Sequence, residues 1–311
     1  GRMLCADGLQ QNQVRIRGAV RGILPGLDEG TPRRMTQGLN WLLSQGVRAL
    51  DLSQKGLGKE GTAVVGATLW KHTTLAELDL SLNELGDEGL LNMLRTYNTQ
   101  EQLSERSEGG ARGGTCPLEL LRMDQIGLSC KGAGALGSFL SAPASHQVLT
   151  NLRTLSLCEN NLHDKSDTLV ASFCTALATL PKIQAIELNG CSLGDEAIAC
   201  LCRGLRERLD KNTCTASSFV HSLKLGSNEL SPLAARELGE ILCLSRQRLG
   251  CLMPNLLGLD GNKLGDEGAE ILAEVCSTQD TIDAASNSVK TFSLEIGRNN
   301  VSPRGLLAFA K

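Results

Sequence analysis

Three stretches of this sequence read Gly-Asp-Glu, with adjacent acids at Asp87-Glu88, Asp195-Glu196 and Asp266-Glu267. Repeated carboxylates are calcium ligands in some proteins, but here each pair opens a separate predicted helix. Acids in that position cap the helix and compensate its dipole. Other chemistry-bearing residues are scattered. The histidines His72, His146, His163 and His221 are dispersed, each in a predicted loop or at a strand edge. Gly56 to Thr62 reads GLGKEGT, which has the letters of a phosphate-binding loop without the G-x4-G-K-[ST] spacing. Cys200 and Cys202 stand two apart on a predicted helix and so do not face each other. Asn300-Val301-Ser302 reads as a turn. These residues nominate no catalytic group, no cofactor and no metal.

The 12 cysteines form no C-x-x-C pair and no zinc spacing. Several occupy columns where Leu or Ala would face a core. Reduced cysteine used as a small hydrophobe accounts for them and implies a reducing compartment.

The elements that hold these residues repeat. Leu78 to Gly89, LDLSLNELGDEG, returns as LGLDGNKLGDEG at Leu257 to Gly268. On the template LxxLxLxxNxL nine units align, with markers at Asn12, Lys55, Asn83, Ile126, Asn160, Cys191, Asn228, Asn262 and Asn299. Leucines two apart lie on one face of a strand. The helix after each strand carries its own apolar stripe, Leu90, Leu91 and Leu94 in the third unit and Ala269, Ile271, Leu272 and Val275 in the eighth. Such units bury their faces only by stacking, so residues 1–311 are expected to form one solenoid domain. The first unit, Leu4 to Val14, is the weakest, since Asp7 stands in an apolar column.

The markers of the second and third units are 28 residues apart and those of the third and fourth 43 apart. The excess is polar, Gly-rich Thr99 to Thr115, expected to be a flexible insertion. Further insertions fall at Arg208 to Ser218, Ser245 to Met253 and Ser277 to Ser288. An Asn in the marker column can satisfy backbone groups where the chain leaves the strand. Lys55 and Ile126 break that column, which predicts a rearranged loop beside the long insertion.

Net charge is −3, with no run of Lys and Arg, so the electrostatic footprint of a nucleic-acid binder is missing. No apolar run approaches the roughly 18 to 20 residues that span a bilayer. The start, GRMLCADG, has no apolar signal region and no Met at position 1. The end, Gly305 to Lys311, stops inside a predicted helix. Both are expected of a piece of a longer chain.

The pattern LxxLxLxxNxLGDEG, with Asn83, Cys191 and Asn262 in the marker column, resembles the ribonuclease-inhibitor-like subfamily of leucine-rich repeat proteins. The resemblance implies an α/β horseshoe with a parallel sheet on the concave face and helices outside. It spans several functions: ribonuclease inhibitors, a Ran GTPase-activating protein, innate-immune sensors, actin cappers and axonemal adaptors. Tight ribonuclease capture would lean on aromatic anchors, whereas the chain has two Trp and one Tyr, and both Trp41 and Trp70 fall on predicted helices. A GTPase regulator would need a catalytic-assist residue on a loop edge, and none stands out.

Strand positions that point away from the core are Asp51, Glu77, Asp79, Arg122, Asp124, Glu159, Glu187, Lys224, Asp260, Glu295 and Arg298. Eight are acids and three are bases. Read blandly, they solvate the concave face; read functionally, they form a docking groove for a basic partner segment. The expectation is a non-enzymatic adaptor, cytoplasmic and within a larger complex of cytoskeletal or axonemal kind, with a small-GTPase regulator as the alternative. Neither nucleic acid nor membrane is expected as a partner.

Overall fold

In the computed structural model, residues 15–16, 31–69, 74–105, 118–141, 149–163, 168–211, 214–277 and 292–310 are described. Strands and helices alternate: β1 (Arg15–Ile16), α1 (Thr31–Ser44), β2 (Ala49–Asp51), α2 (Gly58–Leu69), β3 (Glu77–Asp79), α3 (Gly86–Glu105), β4 (Leu120–Arg122), α4 (Cys130–Leu140) and β5 (Thr154–Ser156). They continue as α5 (Thr168–Thr179), β6 (Ala185–Glu187), α6 (Asp195–Leu209), β7 (Ser222–Lys224), α7 (Pro232–Leu249), β8 (Leu256–Gly258), α8 (Gly265–Ser277), β9 (Ser293–Glu295) and α9 (Pro303–Leu307). The nine strands among the described residues pair in parallel in chain order.

Register follows the leucine template. Leu50, Leu78, Leu121, Leu155, Ile186, Leu223, Leu257 and Leu294 stand opposite one another across the sheet. Two residues on, Leu52, Leu80, Met123, Leu157, Leu188, Leu225 and Leu259 are fully buried. Each contributes about 1.5 to 3 kcal/mol by leaving water. Opposite them the helices bury most of the expected stripe, Leu90 and Leu94 in α3 and Ala269, Leu272 and Val275 in α8, with Leu91 and Ile271 half-buried. Parallel strands sit about 4.8 Å apart and packed helices about 8 to 10 Å apart, so the sheet takes the inner side of a curved stack.

Glycine decides how closely some helices approach. A Cβ on Gly66 would lie 2.5 Å from the Met93 carbonyl oxygen, and one on Gly137 would lie 2.7 Å from the Phe173 Cα. At both places the contact is backbone on the far side, so α2 against α3 and α4 against α5 depend on the missing side chain.

Two expectations are corrected. The first strand is Arg15–Ile16, with Ile16 opposite Leu50, and not the stretch around Asp7. Register with Leu50 puts Ile16, an apolar residue type, at the strand position that the template had given to Asp7. Leu4 to Val14 otherwise lies outside the described residues. Helix α3 runs to Glu105, so residues 99–105 are helical where an irregular insertion was expected to begin. Residues 106–115 lie outside the described residues, as do 278–288. Helices also take up parts of two other insertions, α6 reaching Leu209 and α7 reaching Leu249.

Candidate functional site

Much of what could do chemistry in this chain holds it together. The Asn83 carboxamide oxygen accepts the backbone N–H groups of Lys55 (3.0 Å) and Leu57 (3.2 Å), while its nitrogen donates to the Leu52 and Leu80 carbonyls. Asn160 does the same for Ile126 and Leu128, and Asn228 for Cys191 and Leu193. Every such asparagine therefore satisfies the repeat before its own. Lys55, Ile126 and Cys191 precede an asparagine repeat, and the residue after each, Gly56, Gly127 or Ser192, has positive φ. The same positive φ occurs at Asn300, after the intact marker Asn299, so this backbone turn is not confined to the broken column or to the repeats beside the insertion. At Cys191 the thiol takes over the donor role, reaching the Leu157 carbonyl at 3.1 Å.

The GDEG acids also work across repeats. Asp87 accepts the N–H (2.8 Å) and hydroxyl (2.5 Å) of Ser129, whose Oγ caps α4 by accepting the Lys131 N–H. Asp195 holds Ser231 at the start of α7, and Asp266 holds Ser302 at the start of α9, in the same way. Each Asp thus orients the next helix's cap rather than capping its own helix. Among the described residues, no three His, Cys, Asp or Glu gather as a metal site would require. Burial pushes the Cys191 thiol up to about 12 and raises Cys174 and Cys202 as well, so these thiols stay protonated and poorly nucleophilic at neutral pH.

The remaining polar surface is the outward face of the strands. Period-two alternation puts Asp51, Glu77, Asp79, Arg122, Glu187, Lys224 and Glu295 there, while Asp124, Glu159, Asp260 and Arg298 follow in the turns after β4, β5, β8 and β9. Register sets Asp79 opposite both Asp51 and Arg122. Lys224 pairs with Glu187 at 2.9 Å. Four of the acids also brace the turns beyond their strands. Asp51 accepts from the N–H and hydroxyl of Ser53, Asp79 from the Ser81 N–H, Asp124 from the Ser156 hydroxyl and Cys158 N–H, and Asp260 from the Gly297 N–H. Glu159 and Arg298 share a positive-φ column with Gln54, Leu82, Gln125 and Ser227. The two ends of the row stay apart: Asp51 on β2 and Glu295 on β9 are separated by seven strand spacings, about 34 Å along the sheet.

Counting only charges missed part of this face. Leu120 and Leu256, each the first residue of its strand, are half-buried beside the charged rows. A cavity of about 230 Å³ opens where β2 to β5 begin, lined by Arg48, Ala49, Ala76, Glu77, Glu119, Leu120, Arg153 and Thr154. Period two alone would have put Leu120 and Thr154 in the same outward row as Glu77. Trp41 is exposed on α1, away from this face; Trp70 lies outside the described residues.

Parallel strands one per repeat, helices outside and an asparagine staple between units define a leucine-rich repeat solenoid. The family model described as Leucine Rich repeat matches residues 71–94. A ribonuclease inhibitor of Sus scrofa is 28% identical over 242 residues, covering 73% of this chain and 48% of the inhibitor. One of Mus musculus is 24% identical over 309 residues, covering 76% of this chain and 62% of the inhibitor. Human NACHT, LRR and PYD domains-containing protein 12 is 31% identical over 202 residues, 64% of this chain but 16% of that protein. The chain has the leucine-rich repeat fold and is similar to ribonuclease inhibitors, and it spans about half to three-fifths of the length of the inhibitors it matches. Among the described residues, no helix is long and apolar enough to cross a membrane.

Proposed function

We propose that the chain is a non-enzymatic protein-docking scaffold that works inside the cell as a subunit of a larger assembly, cytoskeletal or axonemal in kind. Its partner presents a basic segment to the concave face. The observation that supports this reading is the run of outward acids on β2 to β9, where Glu187 already holds a cation, Lys224, at 2.9 Å. Acids held in fixed orientations by turn hydrogen bonds require little reordering when a cation arrives, which favours steering and specificity.

The test is affinity purification from cell extract with the native chain and with a variant carrying Asp51→Lys, Asp79→Lys and Glu187→Lys. Loss of the native partners from the variant is the expected result; unchanged recovery sinks concave docking. A parallel assay of GTP hydrolysis by small GTPases should give no acceleration, and clear acceleration would replace the scaffold with a regulator.

A further inference from the structure

Each junction between repeats uses the same set of groups, and at β9 one half of that set stands open. Where the β7 repeat covers the β6 repeat, the Leu188 and Gly190 N–H groups donate to the Lys224 and Gly226 carbonyls, both at 2.8 Å. The Cys191 and Leu193 N–H groups donate to the Asn228 carboxamide oxygen, both at 3.0 Å. Counted along the repeat, the corresponding donors at β9 and in the turn after it are Ile296, Arg298, Asn299 and Val301. None of these four N–H groups makes a hydrogen bond among the described residues.

The apolar layer is open at the same place. Leu294 and Ile296 are half-buried, whereas Leu223, Leu225, Leu257 and Leu259, in the same two columns, are fully buried. Leu306 on α9 and Phe309 just beyond it are 55% and 39% exposed. Ala269 and Leu272, which stand as far after Gly268 as these two stand after Gly305, are fully buried. An occupant of this end therefore has to bring acceptors to a row of donors and apolar side chains to two open columns. A second copy presenting the same end would bring the same four donors, not the acceptors they lack. A strand of the form Leu-x-Leu-x-x-Asn meets both needs, as the β6–β7 junction demonstrates within the chain. It supplies the carbonyl between its leucines, the carbonyl after the second leucine, one carboxamide oxygen for two N–H groups, and two side chains that extend the leucine columns.

We infer that the edge of the sheet at β9 docks a partner protein that adds a further parallel strand of this Leu-x-Leu-x-x-Asn form. The edge is an end of the stack and not its concave face, so the inference stands apart from the function proposed above. The probe is a synthetic peptide of residues 222–228, SLKLGSN, with blocked ends, added to the whole protein. Amide hydrogen exchange at Ile296, Arg298, Asn299 and Val301, read by NMR, should slow several-fold and saturably in about the millimolar range expected of so short a segment. A peptide with Asn228→Ala should still slow Ile296 and Arg298 but release Asn299 and Val301. One with Leu223→Ser and Leu225→Ser should slow none of the four. The proposal is overturned if the native peptide slows none of these amides, or if either altered peptide acts on all four as the native one does. It is overturned equally if the four amides are already slow in the protein alone. Slowness independent of protein concentration would assign the edge to the chain's own residues, and slowness that grows with concentration would assign it to a second copy.

Discussion

The Asn228 carboxamide oxygen accepts the backbone N–H of Cys191 at 3.0 Å, although Cys191 belongs to the preceding repeat. The same side chain accepts from Leu193 and donates to the Leu188, Leu225 and Gly226 carbonyls, so one residue satisfies five backbone groups in two repeats.

Replacing Asn228 with alanine should therefore destabilise the fold by about 3 kcal/mol or more, since each buried polar group left unpaired costs about 1 to 3 kcal/mol. Asn228→Asp keeps the acceptor but loses the donors, and should fall between the two. Urea-unfolding midpoints rank the three proteins; an alanine variant within about 0.5 kcal/mol of the native protein would remove the staple as a source of stability.

The Ser302 hydroxyl and N–H, both donated to Asp266, hold its carboxyl below the ordinary value of 3.8. A depressed acid contributes stability that is fully present above the unfolded-state pKa and is lost as pH falls through the folded-state value. The stability gap between the native protein and Asp266→Asn should be widest at neutral pH and should close as pH drops below 3.8. Denaturant titrations at several pH values would show it. A gap that stays constant with pH would mean that the charge of Asp266 contributes nothing.

Glycine to alanine changes separate two effects in the helical layer. In a helix interior alanine is favoured over glycine by about 1 kcal/mol. At Gly137 the added Cβ would meet backbone of Phe173 at 2.7 Å, and overpacking of about 1 to 3 kcal/mol should win. At Gly239 it would meet only the Val275 and Ile271 methyl groups, at 3.3 and 3.5 Å, which can shift. Thermal unfolding should rank Gly137→Ala below the native protein, and Gly239→Ala level with it or above.

Thiol reactivity should divide the cysteines by burial. Cys174, Cys191 and Cys202 are buried, with thiol pKa values raised mainly by that burial, and should resist a disulfide exchange reagent at pH 8 until the chain unfolds. Mass mapping of labelled peptides gives the result directly. Labelling of these three in the folded protein at the rate of free cysteine would contradict the core assignment.

The repeat, its register and its inward leucines were legible from β2 onward because a period-two strand and a buried stripe leave a direct trace in residue type. Partners across repeats leave none. Asn83 reads as a staple, but nothing in its neighbourhood says that it reaches back to Lys55, 28 residues earlier. Asp87 reads as a cap, yet its serine lies 42 residues on. The first strand was misplaced because a template sought leucines and Ile16 stands without them. On the concave face, attention to charge found the acids and passed over Leu120 and Leu256. Whether an outward leucine joins a pocket depends on which strands flank it, and that is a property of the stack.

The close approach of α4 to α5 at Gly137 has a consequence for recognition. The arc bends according to how much wider its outer layer is than its sheet, so a residue on the convex side sets the gauge of the opposite surface. An alanine there would wedge two helices apart and draw the ends of the concave rows together, changing the distance between Asp51 and Glu295 without altering either residue. If the proposed docking on the concave face holds, its selectivity for a rigid partner would be adjustable from the back of the molecule, without any change to the charged rows themselves.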